Sequence, residues 1–138
     1  HPGVLPDYGG RNMAYNAIMN CETEFGSTIH YMDENFDTGP IIEVSRFVIG
    51  DKTAKQLFDS CCLHILFLLE KYLPMILKGE KISSFSQKNS TYYKKNKIND
   101  FVSIDERLAT EIRAKMFPPY YPKIKIGQQI YKIIPEGE

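Results

Sequence analysis

Residues 26–48, GSTIHYMDENFDTGPIIEVSRFV, contain two β-branched and aromatic runs separated by a short acidic loop. These runs predict strands at residues 27–32 and 40–49, with a tight turn between them. From residue 53 to residue 78, apolar residues recur at spacings of three and four, which predicts one long helix. This order of elements indicates an α/β fold.

The flanking regions have different characters. Residues 1–12 hold two prolines and three glycines, typical of an irregular loop, and a short helix is expected at residues 12–20. Residues 80–100 are rich in Ser, Lys and Asn and predict an exposed connector. A Ser-Ile-Asp-Glu pattern at residues 103–106 predicts a capped helix, and residues 123–134 predict a terminal β-hairpin.

Composition and charge exclude several classes of protein. Lys+Arg and Asp+Glu both number 17, so no basic field exists to attract a nucleic acid, and we expect no such partner. The most apolar window, residues 63–77, includes charges and a proline and lacks the roughly 20 uncharged residues of a membrane span, which predicts a core helix and no membrane. Three cysteines without spaced pairs predict reduced thiols, no metal site and a cytoplasmic protein.

Two residues are the first candidates for chemistry. His1 is followed by prolines and glycines that would hold its imidazole at a loop tip, where it can exchange protons near neutral pH. A lone histidine at a chain start is, however, more often a solvated terminus. Asp37 abuts Thr38-Gly39-Pro40, a combination that fixes the backbone and can hold a carboxylate beside a histidine, favouring the charged imidazole.

Other polar residues have simpler explanations at this level. Asp33 and Glu34 serve equally well to build the turn, and His30 fits a core histidine bonded to a backbone carbonyl. Tyr92-Tyr93-Lys94-Lys95 mixes aromatics with cations as nucleic-acid binders do, but a solvated linker is favoured at zero net charge. The chain has no phosphate-loop, Gly-x-Ser-x-Gly, Cys-x-x-Cys or His-Glu-x-x-His motif.

Several separated motifs resemble the core of 10-formyltetrahydrofolate-dependent formyltransferases: residues 1–6, Gly10, Ala17-Ile18, Gly26, Thr28-Ile29-His30 and residues 32–42. The resemblance implies the C-terminal half of a Rossmann-like formyltransferase domain, with a small C-terminal helix and β-hairpin extension. It predicts that catalytic-domain half at residues 1–80, a linker at 81–100 and the extension at 101–138. A further segment is expected upstream.

The same resemblance implies a site. His1 and Asp37 match the catalytic histidine and aspartate of an Asn-His-Asp set, whose asparagine is expected two positions before His1. The loop that borders the pterin of the folate corresponds to Met32, Asp33, Glu34 and Phe36. Three further candidate active-site residues are Thr28, His30 and Arg11, of which Arg11 follows Gly9-Gly10 where the family usually has Arg-Gly.

The resemblance also implies an activity. The cosubstrate would be 10-formyltetrahydrofolate and the acceptor the amine of a nucleotide-linked amino sugar, because the short tail, which has almost no net charge, resembles that of the sugar enzymes. Methionyl-tRNA formyltransferase is the alternative enzyme, although about twenty residues after Phe117 cannot make its basic C-terminal domain. A non-catalytic binding module is the other alternative. The apolar terminal hairpin predicts a homodimer.

Overall fold

Two strands and the long helix that follows them form the centre of the fold. The computed structural model describes residues 1–95, 98 and 101–138. Its elements are β1 (Gly9–Gly10), α1 (Met13–Met19), β2 (Glu24–His30), β3 (Ile41–Val48), α2 (Ala54–Leu77), β4 (Tyr92–Tyr93), α3 (Leu108–Lys115), β5 (Lys123–Ile126) and β6 (Gln129–Lys132). The predicted strand pair, long helix, short first helix and terminal hairpin are therefore confirmed.

The described strands form three two-stranded sheets. β2 and β3 pair antiparallel, with Ser27 opposite Ser45, and β5 and β6 form the antiparallel terminal hairpin. β1 and β4 pair parallel, with Gly9 opposite Tyr92. This last pair was not predicted, because it joins the first loop to the connector and each of its strands is only two residues long.

Helix α2 packs against β2 through one buried face. Ser27 Oγ donates to Cys61 O at 2.8 Å, and Cys61 Sγ donates to Gly26 O at 3.5 Å. Leu57 on the same face is fully buried, which stabilises the fold by about 1.5–3 kcal/mol. Burial raises the pKa of the Cys61 thiol to about 11, so this cysteine stays protonated at neutral pH and serves packing.

The other face of α2 is apolar and exposed. Leu63, Leu66, Phe67 and Leu77 are all more than half exposed. By length and composition the helix could cross a membrane, and 11% of its most apolar 18-residue window is buried. The expectation of a core helix is thus correct for one face only, and the absence of a membrane stays a prediction.

The principal core lies where α1, α2, α3 and β2 meet the first loop. Phe25 packs edge-on against Tyr8, with ring centroids 5.1 Å apart. The buried cluster comprises Val4, Tyr8, Met13, Ala14, Ala17, Ile18, Phe25, Ile49, Ala54, Leu57, Cys61 and Ala114. Residues of the first loop therefore share a core with the helices, which fixes the loop in position.

Helix α3 begins later than predicted. The capping box at residues 103–106 is wrong, because α3 starts at Leu108 after Arg107 and has no side-chain cap. Asp105 Oδ1 accepts a hydrogen bond from the Arg107 amide at 2.8 Å, which stabilises a turn before the helix. The Ser103 amide instead donates to the Glu111 carboxylate at 3.4 Å.

The connector contacts the first loop at several points. The Thr91 amide donates to Pro6 O at 2.9 Å, and the Arg11 amide donates to Tyr93 O at 2.9 Å. Tyr93 also stacks on Tyr8, with ring centroids 5.4 Å apart. Within the proposed linker, residues 96, 97, 99 and 100 lie outside the described part of the chain.

Candidate active site

The loop that carries His1 is held by Thr28 of β2. The backbone nitrogen of His1 donates to Thr28 O at 2.9 Å and the Thr28 amide donates to His1 O at 3.0 Å, the reciprocal pattern of a hydrogen-bonded pair between antiparallel strands. The Thr28 hydroxyl donates to Gly3 O at 2.7 Å and accepts from the Leu5 amide at 3.0 Å. Thr28 is 1% exposed, so it supports the loop from below and does not face solvent.

His1 and Asp37 lie next to each other as an ion pair, as expected from the sequence. Nδ1 of His1 is 3.2 Å from Oδ1 of Asp37, and the two side chains are only 7% and 21% exposed. Nε2 of His1 lies 2.7 Å from the carbonyl oxygen of Tyr8. A neutral imidazole donates from one ring nitrogen only, so hydrogen bonds to both of these acceptors require a ring that carries a proton on each nitrogen.

The turn that holds Asp37 is constrained by three hydrogen bonds from two residues, Gly10 and Gln87. Asp37 has φ of 59°, a left-handed conformation that non-glycine residues seldom adopt. The Gly10 amide donates to Asp37 Oδ2 at 2.8 Å. Gln87 Nε2 donates to Asp37 O at 2.9 Å and to Gly39 O at 2.7 Å. These bonds aim the carboxylate at His1.

Gly10 is suited to this role because it has no side chain. Its φ is 97°, and a Cβ there would lie 2.2 Å from Tyr93 O. The close parallel pairing of β1 with β4 therefore needs glycine at this position. That pairing in turn presents the Gly10 amide to Asp37.

The remaining sequence candidates stand at different distances from the pair. The ring of His30 lies 6.5 Å from that of His1, in an edge-to-face arrangement, and its Nδ1 is 2.8 Å from Tyr31 O. Arg11 is exposed, and in the described chain no hydrogen bond joins its side chain to His1, Asp37 or His30. The structure thus brings His30 to the site and leaves Arg11 outside it.

The loop predicted to border the pterin is exposed and partly self-supported. Asp33 Oδ1 accepts hydrogen bonds from the Thr38 hydroxyl at 2.6 Å and the Asn35 amide at 3.1 Å. These bonds lower the pKa of Asp33, with Thr38 the larger cause. Met32 and Phe36 are 92% and 83% exposed. Asp33 therefore builds the turn, while two large apolar side chains beside it stand free to contact a ligand.

Two hollows lie near the first loop. A cavity of about 520 Å³ is lined by Pro2, Gly10, Phe58, Lys115 and Tyr120, among others, but not by His1, Asp37 or His30. A smaller hollow of about 140 Å³ opens onto His1, Thr28, His30 and three apolar residues of α2, namely Ile65, Leu68 and Leu69. The smaller hollow is the better candidate site, because it contains both His1 and His30, whose imidazoles can exchange protons near neutral pH.

Three contributors to the site were not predicted. The Tyr8 carbonyl and the Gly10 amide are backbone groups, which every residue type but proline carries in full, so their positions give no sequence signal. Gln87 lies in a polar connector without periodicity. The family motif could have located Gly10, which it contains, but not the hydrogen bond that Gly10 makes.

Known proteins with similar sequences share this site region. Residues 1–62 match the formyl transferase family. A GDP-perosamine N-formyltransferase of Brucella melitensis is 33% identical over 140 residues, covering 96% of this chain and 53% of that protein. A methionyl-tRNA formyltransferase of Dictyoglomus turgidum is 34% identical over 121 residues, covering 83% of this chain and 38% of that protein. The chain spans about half the length of the first of these relatives.

A solved structure also matches. The N-formyltransferase of Helicobacter canadensis, in complex with folinic acid and dTDP-3-aminofucose, has a TM-score of 0.79 and 28% sequence identity. The match covers 93% of this chain and 50% of that one. The predicted α/β, formyltransferase-like fold is confirmed.

Proposed function

Since the chain belongs to the formyl transferase family, we propose that this protein transfers a formyl group from 10-formyltetrahydrofolate to the amine of a nucleotide-linked amino sugar. The observation that carries the proposal is the His1–Asp37 pair, in which the ring nitrogens of a largely buried imidazole face a carboxylate and a carbonyl oxygen. A protonated ring beside a hollow is suited to stabilise an oxyanion.

The chemistry follows from this arrangement. The neutral amine attacks the formyl carbon, the new C–N bond forms, and negative charge develops on the formyl oxygen. Breaking the bond to N10 of the folate then expels tetrahydrofolate, while the proton of the attacking amine passes to N10. His1 stabilises the oxyanion and acts as acid, and Asp37 keeps the ring charged and oriented.

In this proposal His1 must release one of its present hydrogen-bond partners before its ring can donate to the formyl oxygen. Both of its ring nitrogens are engaged, Nδ1 by Asp37 and Nε2 by the Tyr8 carbonyl. The Tyr8 carbonyl is a neutral acceptor, so in this proposal the substrate oxygen replaces it at Nε2 while Asp37 stays at Nδ1. The asparagine expected upstream would supply a second donor to the same oxygen, and oxyanion donors are typically worth about 10²–10³ in rate.

The folate is proposed to lie against the exposed loop after β2. Met32 and Phe36 present large apolar surfaces next to the turn of Asp37, which suits a planar pterin ring. In this proposal Asp33 and Glu34 contribute through their backbone, and Thr28 and His30 shape the hollow. The side chain of Arg11 is exposed, and we propose that it turns towards the site and contacts the acceptor when substrate binds.

An amino-sugar nucleotide is preferred to tRNA as the acceptor. The Brucella GDP-perosamine N-formyltransferase aligns with 96% of this chain, and the Helicobacter N-formyltransferase that matches it in structure is in complex with dTDP-3-aminofucose. The chain has 17 basic and 17 acidic residues, which gives no field for a polyanion. The proposal includes a cytoplasmic location and no nucleic-acid or membrane partner.

The experiment is a turnover assay with the intact protein and 10-formyltetrahydrofolate. One arm contains a panel of nucleotide-linked amino sugars, and the other contains charged initiator methionyl-tRNA. Mass spectrometry should show one added formyl group on a sugar nucleotide, with equimolar release of tetrahydrofolate. Formylation of the tRNA alone would establish the alternative enzyme, and no transfer in either arm would favour a non-catalytic binding module.

We also propose that the protein is a homodimer paired through β5 and β6. Ile126 and Tyr131 of this hairpin are each more than half exposed. The register places Ile124 opposite Tyr131, so Ile126 and Tyr131 lie on one face, while Lys125 lies on the other. An apolar face of this kind is typical of an association surface.

A further inference from the structure

Gln87 reaches from the connector to the turn that carries Asp37. Both N–H bonds of its single amide nitrogen are used, one on Asp37 O at 2.9 Å and one on Gly39 O at 2.7 Å. The two acceptors stand at the ends of a three-residue turn. A side chain 50 residues later in sequence therefore clamps the backbone of Asp37.

The position of Gln87 is itself fixed by backbone pairing. The Ile41 amide donates to Phe85 O at 2.8 Å, and the Phe85 amide donates to Ile41 O at 2.9 Å. Ile41 begins β3 directly after the turn, so this bridge holds the connector against the strand that leaves the site. Gln87 lies two residues beyond the bridge.

The other half of the amide is in an unfavourable environment. Rotating the amide by 180° would set Oε1 against two carbonyl oxygens, so the observed orientation is the stable one. In that orientation Oε1 is buried and has no hydrogen-bond partner among the described residues. A buried acceptor without a donor destabilises the folded state. Gln87 thus contributes less to stability than its two hydrogen bonds suggest, which points to a role in shaping the site.

We infer that Gln87 is a positioning residue, which holds the Asp37 turn in its left-handed conformation and so keeps the carboxylate on Nδ1 of His1. Asp37 has φ of 59°, a conformation that relaxes unless its surroundings hold it. Without the clamp the turn can move, the 3.2 Å ion pair weakens and the charged form of His1 loses its partner. The inference rests on the proposed function, because it takes this pair as the catalytic one.

The test compares three variants of the intact protein. Gln87→Met keeps the length of the side chain and removes both donors, Gln87→Glu replaces the donors with a carboxylate oxygen, and Lys88→Met is the matched control at an exposed neighbour. We expect Gln87→Met to lower kcat about 10- to 100-fold with little change in KM for either substrate. Gln87→Glu should be worse, because it sets negative charge against two carbonyl oxygens.

A second readout does not depend on turnover. Nitrogen-15 NMR of the ligand-free protein follows protonation of His1, while His30, the other titratable ring nearby, is followed in the same spectra. In Gln87→Met the midpoint of His1 should move to lower pH by at least about 0.5 unit, and the alkaline limb of kcat should move with it. Lys88→Met should shift neither.

The outcomes separate the two proposals. If the wild type transfers formyl groups and Gln87→Met matches Lys88→Met in kcat, pH profile and His1 midpoint, the positioning role is wrong and the function stands. If the wild type shows no transfer but Gln87→Met still shifts the His1 midpoint, the proposed function fails and the clamp stands. Urea unfolding of each variant is the control for stability. A variant whose unfolding midpoint equals that of the wild type is still folded, so its loss of activity is specific to the site.

Discussion

The hydroxyl of Thr28 donates to the carbonyl oxygen of Gly3 at 2.7 Å, and the same oxygen of Thr28 accepts from the Leu5 amide. One fully buried side chain therefore satisfies two backbone groups of the loop that carries His1. The candidate site depends on this support as well as on the His1–Asp37 pair.

Replacing Thr28 by Val should destabilise the protein by about 1–3 kcal/mol, because a buried amide and a buried carbonyl both lose their partner. The His1 loop should loosen and kcat should fall. Thr28→Ser is the control, since it keeps the hydroxyl and loses one methyl group, which is worth about 1 kcal/mol. Urea unfolding and steady-state kinetics of the two variants measure both effects; equal kcat in Val and Ser variants would contradict the role of the hydroxyl.

Gly39→Ala should damage the turn of Asp37 directly. A Cβ at this position would lie 1.8 Å from Tyr31 O, so the backbone must shift. We expect kcat to fall about 10- to 100-fold. Gly50→Ala is the control, because nothing lies within 4 Å of its Cβ and its φ of 56° should cost only about 1 kcal/mol of stability with kcat unchanged. A wild-type kcat in Gly39→Ala would show that the turn tolerates displacement.

The Glu111–Lys115 pair predicts a pH-dependent contribution to stability. Lys115 Nζ lies 2.7 Å from Glu111 Oε2, both side chains are largely buried, and the hydrogen bond from Lys115 lowers the pKa of Glu111. Because the folded pKa lies below the unfolded one of about 4.3, the stabilisation is present above that value and is lost as pH falls through the folded pKa. Glu111→Gln should therefore lose stability at pH 7.

That loss should shrink as pH falls below the unfolded pKa and approach zero only below the lowered folded pKa, where the wild-type carboxyl group is also protonated. Urea unfolding of wild type and Glu111→Gln at a series of pH values from 7 down to about 2 measures the difference. Asp59→Asn, in the exposed pair with Lys55, should change stability little at either pH. A constant difference between wild type and Glu111→Gln across this range would disprove the assignment.

We predict that charged side chains placed on the apolar face of the β5–β6 hairpin disrupt the proposed dimer. Ile126→Glu combined with Tyr131→Glu places two carboxylates on the apolar face and should convert the intact protein to monomer at micromolar concentration. Lys125→Glu on the opposite face should leave the dimer unchanged. Sedimentation velocity over a range of concentrations distinguishes them; a monomeric wild type, or a dimer in the double variant, would refute pairing through this face.

The fold was predictable where local pattern decides structure. The strand pair, α2 and the hairpin follow from periodicity over four or more residues. β1 and β4 were missed because two residues carry no periodicity, and their pairing depends on contacts far apart in sequence. The start of α3 was misplaced because a Ser-to-Glu capping pattern competes with the turn at Asp105 and with Glu111, which takes the Ser103 amide.

Only the parts of the site that are carried by recognisable side chains were predictable from the sequence. His1 and Asp37 were placed together from their motifs, and the structure brings them to 3.2 Å. Their orientation is set by the Tyr8 carbonyl, the Gly10 amide and Gln87, none of which has a residue pattern of its own. The sequence thus identified the two candidate side chains, and tertiary contacts set their orientation.

The most direct test of the central claim is the kcat of Asp37→Asn in the intact protein. The amide keeps the shape of the carboxylate and removes the charge that faces Nδ1 of His1. Asp33→Asn serves as control, since that carboxylate bonds within its own loop. We predict a fall of at least about 100-fold for Asp37→Asn, an unchanged unfolding midpoint and near-normal turnover for Asp33→Asn. Turnover of Asp37→Asn within twofold of wild type would contradict the account.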